Sequence, residues 1–162
     1  MEIVIRKMEP GDWNPVCEIY KQGIETRNAT FDNSVPGWEE WDKGHLQECR
    51  FAAETSREVA GWAALLPFSS RNAYKGVAEV SIYVSVNHTG KGIGRKLLEA
   101  LISESELSGI WTLQASIFPE NTASIKLFTS CGFREVGFRE KIGYMDGRWR
   151  DTVILERRSK KI

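Results

Sequence analysis

The chain has 162 residues, and its 22 basic and 22 acidic side chains give a net charge of zero at neutral pH. A balanced charge excludes a strong general attraction to nucleic acid or to an anionic membrane, so we expect a small partner that is recognised locally. The length is enough for one hydrophobic core and too short for two, and we therefore predict a single domain over residues 1–162.

Three cysteines, Cys17, Cys49 and Cys131, are an odd number at wide spacing without a paired motif. They predict buried thiols in a reducing compartment rather than a nucleophile or metal ligands. The N-terminal segment lacks the apolar run of a signal peptide, and no stretch approaches the roughly 20 residues of a membrane span. We therefore expect a cytoplasmic protein without a membrane partner.

The first elements are a strand and two helices. Residues 3–8 alternate as a strand, and Asp12 is placed to cap the helix that follows. A second helix is predicted to begin near Pro36. Its Trp38 and Trp41 are interpreted as packing residues rather than as an aromatic cage for a substrate.

Three strands are predicted in the middle of the chain. Residues 51–54 and 59–66 flank the polar segment 55–58, which predicts a hairpin. Alternating apolar side chains then predict a strand over residues 77–86. Its even-numbered residues are mostly aliphatic, so Glu79 is expected on the opposite face together with the other odd-numbered residues.

A glycine-rich loop joins this strand to a helix. Glycine alternates with other residues from Gly90 to Gly94, and apolar residues then recur at helical spacing. Such glycines let backbone N–H groups turn toward a ligand beside the positive end of the helix dipole, where Lys91, Arg95 and Lys96 add charge. The pattern favours a pyrophosphate, and the alternative is close packing between strand and helix.

Two common nucleotide loops do not match this pattern. A Rossmann loop requires GxGxxG and an acidic residue about twenty positions later, at the end of the next strand, and residues 110–118 contain no acid. A P-loop requires Lys and then Ser or Thr after its last glycine, whereas Arg95 and Lys96 follow Gly94. The sequence therefore excludes the usual NAD and ATP sites.

The C-terminal part predicts a strand over residues 110–118, then a helix and two final strands. Asn121 is placed to cap the helix, and Gly132 can supply its left-handed end. The final strands are predicted over residues 133–142 and 149–156.

Two segments resemble motifs of the GNAT superfamily of N-acetyltransferases. The segment TGKGIG from Thr89 to Gly94 resembles the loop that binds the pyrophosphate of acyl-CoA, with Thr89 where the family usually has Gln or Arg. The segment NTASIKLFTSCGF from Asn121 to Phe133 resembles the later motif of the family. Phe128 stands where many members have a tyrosine that can protonate the departing thiolate, so we assign no general acid.

Three further segments resemble the phosphinothricin acetyltransferase branch, which acetylates the α-amino group of amino-acid-like compounds. They are RNAY (71–74), AEVSIYV (78–84) and YMDGRWRD (144–151). The resemblance implies a mixed α/β fold, with a central, mostly antiparallel twisted sheet of about six or seven strands flanked by about four helices. It also implies acetyl-CoA as co-substrate, and it allows a homodimer.

The resemblance further assigns the binding residues. Phe31, Arg71 and Tyr74 would bind the acceptor, and the Arg71 guanidinium suits a carboxylate. The residues expected to bind acetyl-CoA are Ile82, Tyr83, Val84, Gly90, Lys91, Gly92, Ile93, Gly94, Arg95 and Asn121. No metal site is expected, because His45 and His88 are the only histidines and lack matching acids or cysteines.

Glu79 is the predicted general base. A primary amine is mostly protonated at neutral pH and cannot attack a thioester until it loses that proton. Glu79 lies shortly before the acyl-binding residues of the same strand, so its carboxylate can face the acceptor directly or through a water. The resembling branch has its expected base at this position. The alternative is a solvated carboxylate or an ion pair.

Together these features predict an enzyme that moves acetyl from acetyl-CoA to the α-amino group of a small amino acid or analogue. The amine would attack directly, without a covalent enzyme intermediate. Phosphinothricin and methionine sulfoximine are the acceptors that the resemblance suggests. The alternatives are an acetyltransferase acting on a peptide N-terminus or a polyamine, and a non-catalytic acyl-CoA-binding module.

Overall fold

The computed structural model describes residues 1–162, which form seven strands and four α-helices. The strands are β1 (Val4–Lys7), β2 (Phe51–Thr55), β3 (Glu58–Pro67), β4 (Val77–Val84), β5 (Thr112–Ile117), β6 (Arg134–Met145) and β7 (Arg148–Arg158). The helices are α1 (Trp13–Glu25), α2 (Trp38–Gly44), α3 (Ile93–Leu107) and α4 (Thr122–Ser130).

All seven strands join one sheet in the order β1-β2-β3-β4-β5-β7-β6. Every neighbouring pair is antiparallel except β4 and β5, which confirms the expected mixed fold with a mostly antiparallel sheet. The parallel pair is short, because only residues 77–79 of β4 pair with residues 112–114 of β5. Beyond these residues the sheet is open at its centre.

The face of the sheet covered by α3 has an aliphatic core. Leu97, Leu98 and Leu101 are fully buried there and pack on small and aliphatic residues of the strands. Their helical spacing causes α3 to bury one side, as the sequence predicts. In the first turn of α3, a Cβ at Gly94 would lie 3.1 Å from Leu127 of α4. For Gly94, close packing against a neighbouring element therefore applies, which is the alternative to pyrophosphate binding named above.

The opposite face packs against α1 and α2 through an aromatic cluster. Tyr20, Trp41, Trp62 and Tyr83 form it, and the ring centroids of contacting pairs lie between 4.9 and 5.6 Å apart. The interpretation of Trp41 as a packing residue is confirmed, since it is buried in the core. Trp38 stacks on Trp41 and remains 37% exposed.

The predicted cap of α1 is wrong. The Asp12 carboxylate makes no hydrogen bond to the first turn of α1. It accepts instead from the backbone N–H of Glu9 at 2.7 Å and from the Arg6 guanidinium at 2.8 and 2.9 Å. The bond to Arg6 holds the pKa of Asp12 below its usual range. The bidentate pair with Arg6 and the bond from Glu9 occupy both carboxylate oxygens, which explains the difference.

The predicted strand over residues 77–86 ends earlier, at Val84. The Ser85 side chain accepts a hydrogen bond from the N–H of Asn87, and this local bond begins a turn of 3₁₀ helix over Val86–His88. Serine side chains compete with sheet pairing in this way. The other predicted strands agree with the structure to within a few residues at each end.

All three cysteines are free thiols. Cys49 is buried, and burial raises the pKa of its thiol to about 11. Cys17 and Cys131 are half-buried, so the prediction of buried thiols is right only for Cys49. None of the helices is both long enough and apolar enough to cross a membrane.

Candidate active site

The gap between β4 and β5 forms a cavity of about 470 Å³. Residues 79–83 of β4 form one wall, and residues 115–118 at the end of β5 form the other. Ile82 and Tyr83, which are expected to bind acetyl-CoA, lie in this stretch. Because β4 has no β5 partner beyond Glu79, backbone groups on this side of β4 are free to bind an extended ligand.

The segment of residues 85–92, here called the glycine loop, leads from β4 into α3. Gly90 and Gly92 have φ angles of +74° and +81°, in the left-handed region that strains other residues. A Cβ at either position would meet no protein atom within 4 Å, so these glycines border open space rather than a packed neighbour. No side chain caps the first turn of α3, which leaves its N–H groups available to an anion.

Two cationic residues expected to bind acetyl-CoA, Lys91 of the glycine loop and Arg95 of α3, differ in their contacts. Lys91 is exposed, and its Nζ lies 3.5 Å from the Asn87 carbonyl oxygen. Arg95 donates to Glu99 at 2.9 Å and to Ser130 at 3.3 Å, so its side chain joins α3 to α4. Lys91 is therefore free to approach a phosphate, whereas the Arg95 guanidinium already has protein partners.

Glu79 lies in the cavity wall, on the face of β4 that it shares with Tyr83 of the aromatic cluster. Burial raises the pKa of its carboxyl above the usual range, and the charge of Arg139 opposes part of that rise. A carboxyl whose charged form is poorly solvated binds a proton more readily than an exposed one. This half-buried position suits a general base better than it suits a solvated surface carboxylate.

Three more titratable side chains line the cavity, and their role could not be assigned from the sequence: Tyr20, Asp32 and His45. The Tyr20 hydroxyl donates to the Asp32 carboxylate, and burial raises the pKa of Tyr20. His45 Nδ1 lies 2.7 Å from the Trp41 carbonyl oxygen, and burial lowers the pKa of the imidazole. The lining thus contains two carboxyl side chains, Asp32 and Glu79, and no Lys or Arg.

Residues 26–35 after α1 are here called the acceptor loop, and residues 29–32 of this loop form another wall of the cavity. The buried Arg150 of β7 donates to the Arg27 carbonyl oxygen at 2.9 Å and to Asn28 Oδ1 at 2.8 Å. Its guanidinium also lies 3.9 Å from the centre of the Phe118 ring. Asn121 Nδ2 donates to the Asn28 carbonyl oxygen at 3.3 Å, so α4 supports the same loop.

Asn121 caps α4 as predicted, because its Oδ1 accepts from the N–H of Ser124 at 3.3 Å. Both ends of its side-chain amide therefore have protein partners. The residue lines the cavity, where it joins the acceptor loop to α4.

Phe31 lines the cavity, as expected for an acceptor-binding residue. Its ring meets that of Phe118 edge-on, with centroids 4.8 Å apart. Gly143 of β6 lies so close to Phe31 that a side chain there would collide with the ring. The exposed Arg27 also binds Asp146 in the β6–β7 turn, at 2.7 and 2.8 Å.

Arg71 and Tyr74 lie in the exposed loop between β3 and β4, and neither lines the cavity. The Arg71 guanidinium lies 5.7 Å from the centre of the Tyr74 ring. Pro67, the last residue of β3, does line the cavity, so this loop departs from the cavity edge. The structure does not bring Arg71 into the cavity, and its binding role stays a prediction.

Phe128 is buried and lines the cavity, with its ring 4.9 Å from that of Phe133. A phenyl ring cannot donate a proton, so no general acid stands at this position. No group of three or more His, Cys, Asp or Glu side chains is arranged to hold a metal ion.

The sequence model of one protein family matches residues 13–133, which is more than half of the chain. Its description is the acetyltransferase (GNAT) family. The chain belongs to this family. The matched residues include β4, the glycine loop and α4 of the acetyltransferase fold, where the cavity and the predicted acyl-CoA residues lie.

Curated relatives are similar over nearly the whole chain. An L-methionine sulfoximine/L-methionine sulfone acetyltransferase of Pseudomonas paraeruginosa is 33% identical, covering 96% of this chain and 94% of the relative. A phosphinothricin N-acetyltransferase of Streptomyces viridochromogenes is 32% identical, covering 96% and 87%. A solved phosphinothricin acetyltransferase of Sinorhizobium meliloti in complex with acetyl-CoA superposes with a TM-score of 0.87, 29% identity and coverage of 98% and 89%.

Two arginines near the cavity lie outside the part of the chain that the family model matches. Arg139 belongs to β6 and Arg150 to β7. Arg150 stands within the YMDGRWRD segment, yet nothing in that segment indicates that its side chain is buried. For Arg139 the sequence carries no signal beyond its place in a predicted strand.

Proposed function

We propose that this chain transfers the acetyl group of acetyl-CoA to the α-amino group of a small amino acid or amino-acid analogue. The observation that carries the proposal is the half-buried Glu79, with its raised pKa, in the wall of the cavity between β4 and β5. The relatives named for phosphinothricin and methionine sulfoximine acetylation support this acceptor class. Phosphinothricin and methionine sulfone are therefore the first acceptors to test.

The residues present fit acetyl-CoA. Gly90 and Gly92 border open space, and the uncapped first turn of α3 presents N–H groups to which phosphate oxygens can bind. The unpaired side of β4 offers backbone groups to the amide-containing arm of the molecule. Bound acetyl-CoA would supply the thioester carbonyl that the amine attacks.

Glu79 would take the proton of the acceptor ammonium, directly or through a water. The free amine then forms the new N–C bond at the thioester carbonyl, and the C–S bond breaks as the CoA thiolate departs. A CoA thiolate is a good leaving group that water can protonate, so the reaction does not require a general acid in place of Phe128. No enzyme side chain forms a covalent bond to the acetyl group in this scheme.

A thiol-release assay with a panel of amines tests the proposal. Phosphinothricin, methionine sulfone, a peptide with a free N-terminus and spermidine are compared at equal concentration with acetyl-CoA. Release with the two amino-acid analogues supports the proposed function. No release with any amine, in protein that still binds acetyl-CoA, would leave a non-catalytic acyl-CoA-binding module.

A polyamine is the second candidate acceptor. The observation that favours it is the acidic lining of the cavity, where Asp32 and Glu79 face the acceptor space. Opposite charges attract more strongly in a partly desolvated site than in water. Faster release with spermidine than with methionine sulfone would support this candidate.

We also propose a cytoplasmic homodimer. The location rests on the composition of the chain, and the dimer rests on the family resemblance. Large apolar side chains exposed on β6 and β7 support a contact with a second copy; they are Val136, Phe138, Ile142, Tyr144 and Trp149. Analytical ultracentrifugation tests the dimer, and a monomer at micromolar concentration would contradict it.

A further inference from the structure

An amino-acid acceptor brings a carboxylate into the cavity together with its amine. The charged groups that line the cavity are Asp32 and Glu79, and no Lys or Arg is among the lining residues. A carboxylate placed beside two others without a cation is disfavoured by repulsion and by loss of solvation. An acceptor of this class therefore requires a cation at the edge of the cavity.

Arg139 of β6 has the position of such a cation. It pairs with Thr152 of β7, which lines the cavity, and paired residues of an antiparallel sheet project from the same face. The next residue of β7, Val153, points into the core under α3. Arg139 and Thr152 therefore lie on the opposite face, which is also the face of Glu79.

A β-bulge directly follows Arg139. The register of β6 with β7 shifts between Arg139 and Gly143. Within the bulge Lys141 has a φ angle of +50°, and its N–H donates to the Asp151 carboxylate at 2.7 Å. Bulges bend a strand and re-aim its side chains, and they are common beside active sites. This bulge begins at the pair of Arg139 with Thr152, a residue that lines the cavity.

The Arg139 guanidinium has no hydrogen-bond or ion-pair partner in the chain, unlike two other arginines of the same sheet. Arg150 is bound to the acceptor loop, and Arg134 is bound to Glu156 at 2.9 Å. The charge of Arg139 nevertheless acts on Glu79, whose pKa it lowers against the effect of burial. Arg139 is thus a cation without a protein partner, on the same face of the sheet as the proposed base.

We propose that Arg139 binds the carboxylate of the acceptor and sets the preference of the enzyme for amino acids over simple amines. This assignment rests on the proposed function. A guanidinium binds both oxygens of a carboxylate at once, which fixes the orientation of the bound molecule. With the carboxylate held from β6 and Glu79 placed on β4, the α-amino group of the acceptor faces the base.

The experiment compares methionine sulfone with 3-(methylsulfonyl)propylamine, which is the same molecule without its carboxylate. Arg139→Ala should lower kcat/KM for methionine sulfone about tenfold to a hundredfold, mainly through KM, because a charge-assisted pair is lost. The amine should react as well with the variant as with the wild type. Arg139→Lys should restore part of the lost kcat/KM, since an ammonium keeps the charge but cannot bind both carboxylate oxygens in the bidentate geometry of a guanidinium.

Arg134→Ala is the matched control, because Arg134 lies on the same strand in an exposed ion pair of small energetic weight. Arg134→Ala should leave kcat/KM unchanged for both compounds. An equal loss of kcat/KM for both compounds in Arg139→Ala, or no loss of kcat/KM for either, would overturn the assignment. A selective loss in Arg71→Ala with none in Arg139→Ala would also overturn it, in favour of the loop between β3 and β4. Failure of the proposed function is a separate result, in which the wild type acetylates no amine.

Discussion

The glycine loop and the acceptor loop both border the cavity, but they are held in different ways. The glycine loop has two bonds within itself: the Ser85 side chain accepts from the N–H of Asn87 at 3.4 Å, and the Ser85 carbonyl accepts from the N–H of His88 at 2.9 Å. One bond joins it to α1, because Gln22 Oε1 accepts from the N–H of Val86 at 3.0 Å. The acceptor loop depends on Arg150, which is 123 positions from Arg27 in the sequence. The turn of the glycine loop is thus formed by neighbouring residues, whereas the acceptor loop also needs a buried side chain from a distant strand.

The difference also separates two roles in binding. The glycine loop presents backbone groups, so a change of backbone conformation there should affect acetyl-CoA. The acceptor loop presents side chains that distant residues hold in place, so loss of those residues should affect the acceptor. Variants in each loop should therefore change the binding of one substrate and leave the other unchanged.

The largest effect is expected for Gly92→Val in the glycine loop. A β-branched residue is strongly disfavoured at a φ angle of +81°, and its side chain would fill the space that the phosphates approach. Hydrogen bonds to charged groups contribute about 1.5–3 kcal/mol each, so losing two should weaken acetyl-CoA binding roughly a hundredfold or more. Isothermal titration calorimetry measures the affinity.

Gly109→Val is the control for backbone strain. Gly109 follows α3, has a φ angle of +79° and also borders open space. This variant should lose a similar amount of stability and keep its affinity for acetyl-CoA. Equal losses of affinity in the two variants would mean that strain alone explains the effect, and the glycine loop would not be the phosphate site.

A smaller effect is expected for Arg150→Met in the support of the acceptor loop. Methionine keeps an apolar stem but leaves the Arg27 carbonyl and Asn28 Oδ1 without their donor, at a cost of about 1–3 kcal/mol in the free energy of unfolding. The acceptor KM should rise about tenfold, which corresponds to roughly 1.4 kcal/mol of lost binding. Acetyl-CoA affinity should stay unchanged.

Arg148→Met is the matched control on the same strand, because Arg148 is exposed and outside the contacts that hold the acceptor loop. It should change neither stability nor KM. If Arg150→Met weakened acetyl-CoA binding as much as acceptor binding, the two loops would not act separately.

The comparison of the two loops also shows which features of the site can be predicted from the sequence. The glycine loop and the face of Glu79 follow from patterns within a few residues, namely the spacing of glycines and the alternation of β4. Arg150 and Asp32 could not be assigned, because their roles depend on contacts between distant segments. Asp12 illustrates the same limit, since a local capping signal was overridden by its pair with Arg6.

The smallest effect is expected for Arg27→Ala, which removes the exposed ion pair to Asp146. Water and salt screen such a pair, and exposed pairs contribute little to stability. The backbone carbonyl of Arg27 still accepts from Arg150 in this variant. The acceptor KM should therefore change less than about threefold. A rise as large as that of Arg150→Met would show that the surface pair, rather than the buried arginine, holds the acceptor loop.

The role of Glu79 as base predicts a pH dependence with a definite sign. The carboxyl must be deprotonated to accept the ammonium proton, and burial raises its pKa. The kcat/KM of the wild type should therefore fall as pH decreases through a value above the ordinary Glu pKa of about 4.3. Glu79→Gln should lose the inflection that belongs to the Glu79 carboxyl, because a glutamine side chain does not titrate in this range. Its kcat/KM should instead follow the fraction of free amine.

The most direct measurement is the turnover of Glu79→Gln at neutral pH, together with its affinity for acetyl-CoA. Glutamine keeps the shape of the side chain and removes its basicity, so kcat should fall roughly a hundredfold or more while acetyl-CoA binds normally. The deficit should shrink at high pH, where the free amine is abundant. Wild-type turnover in this variant at neutral pH would contradict the assignment of Glu79 as the general base.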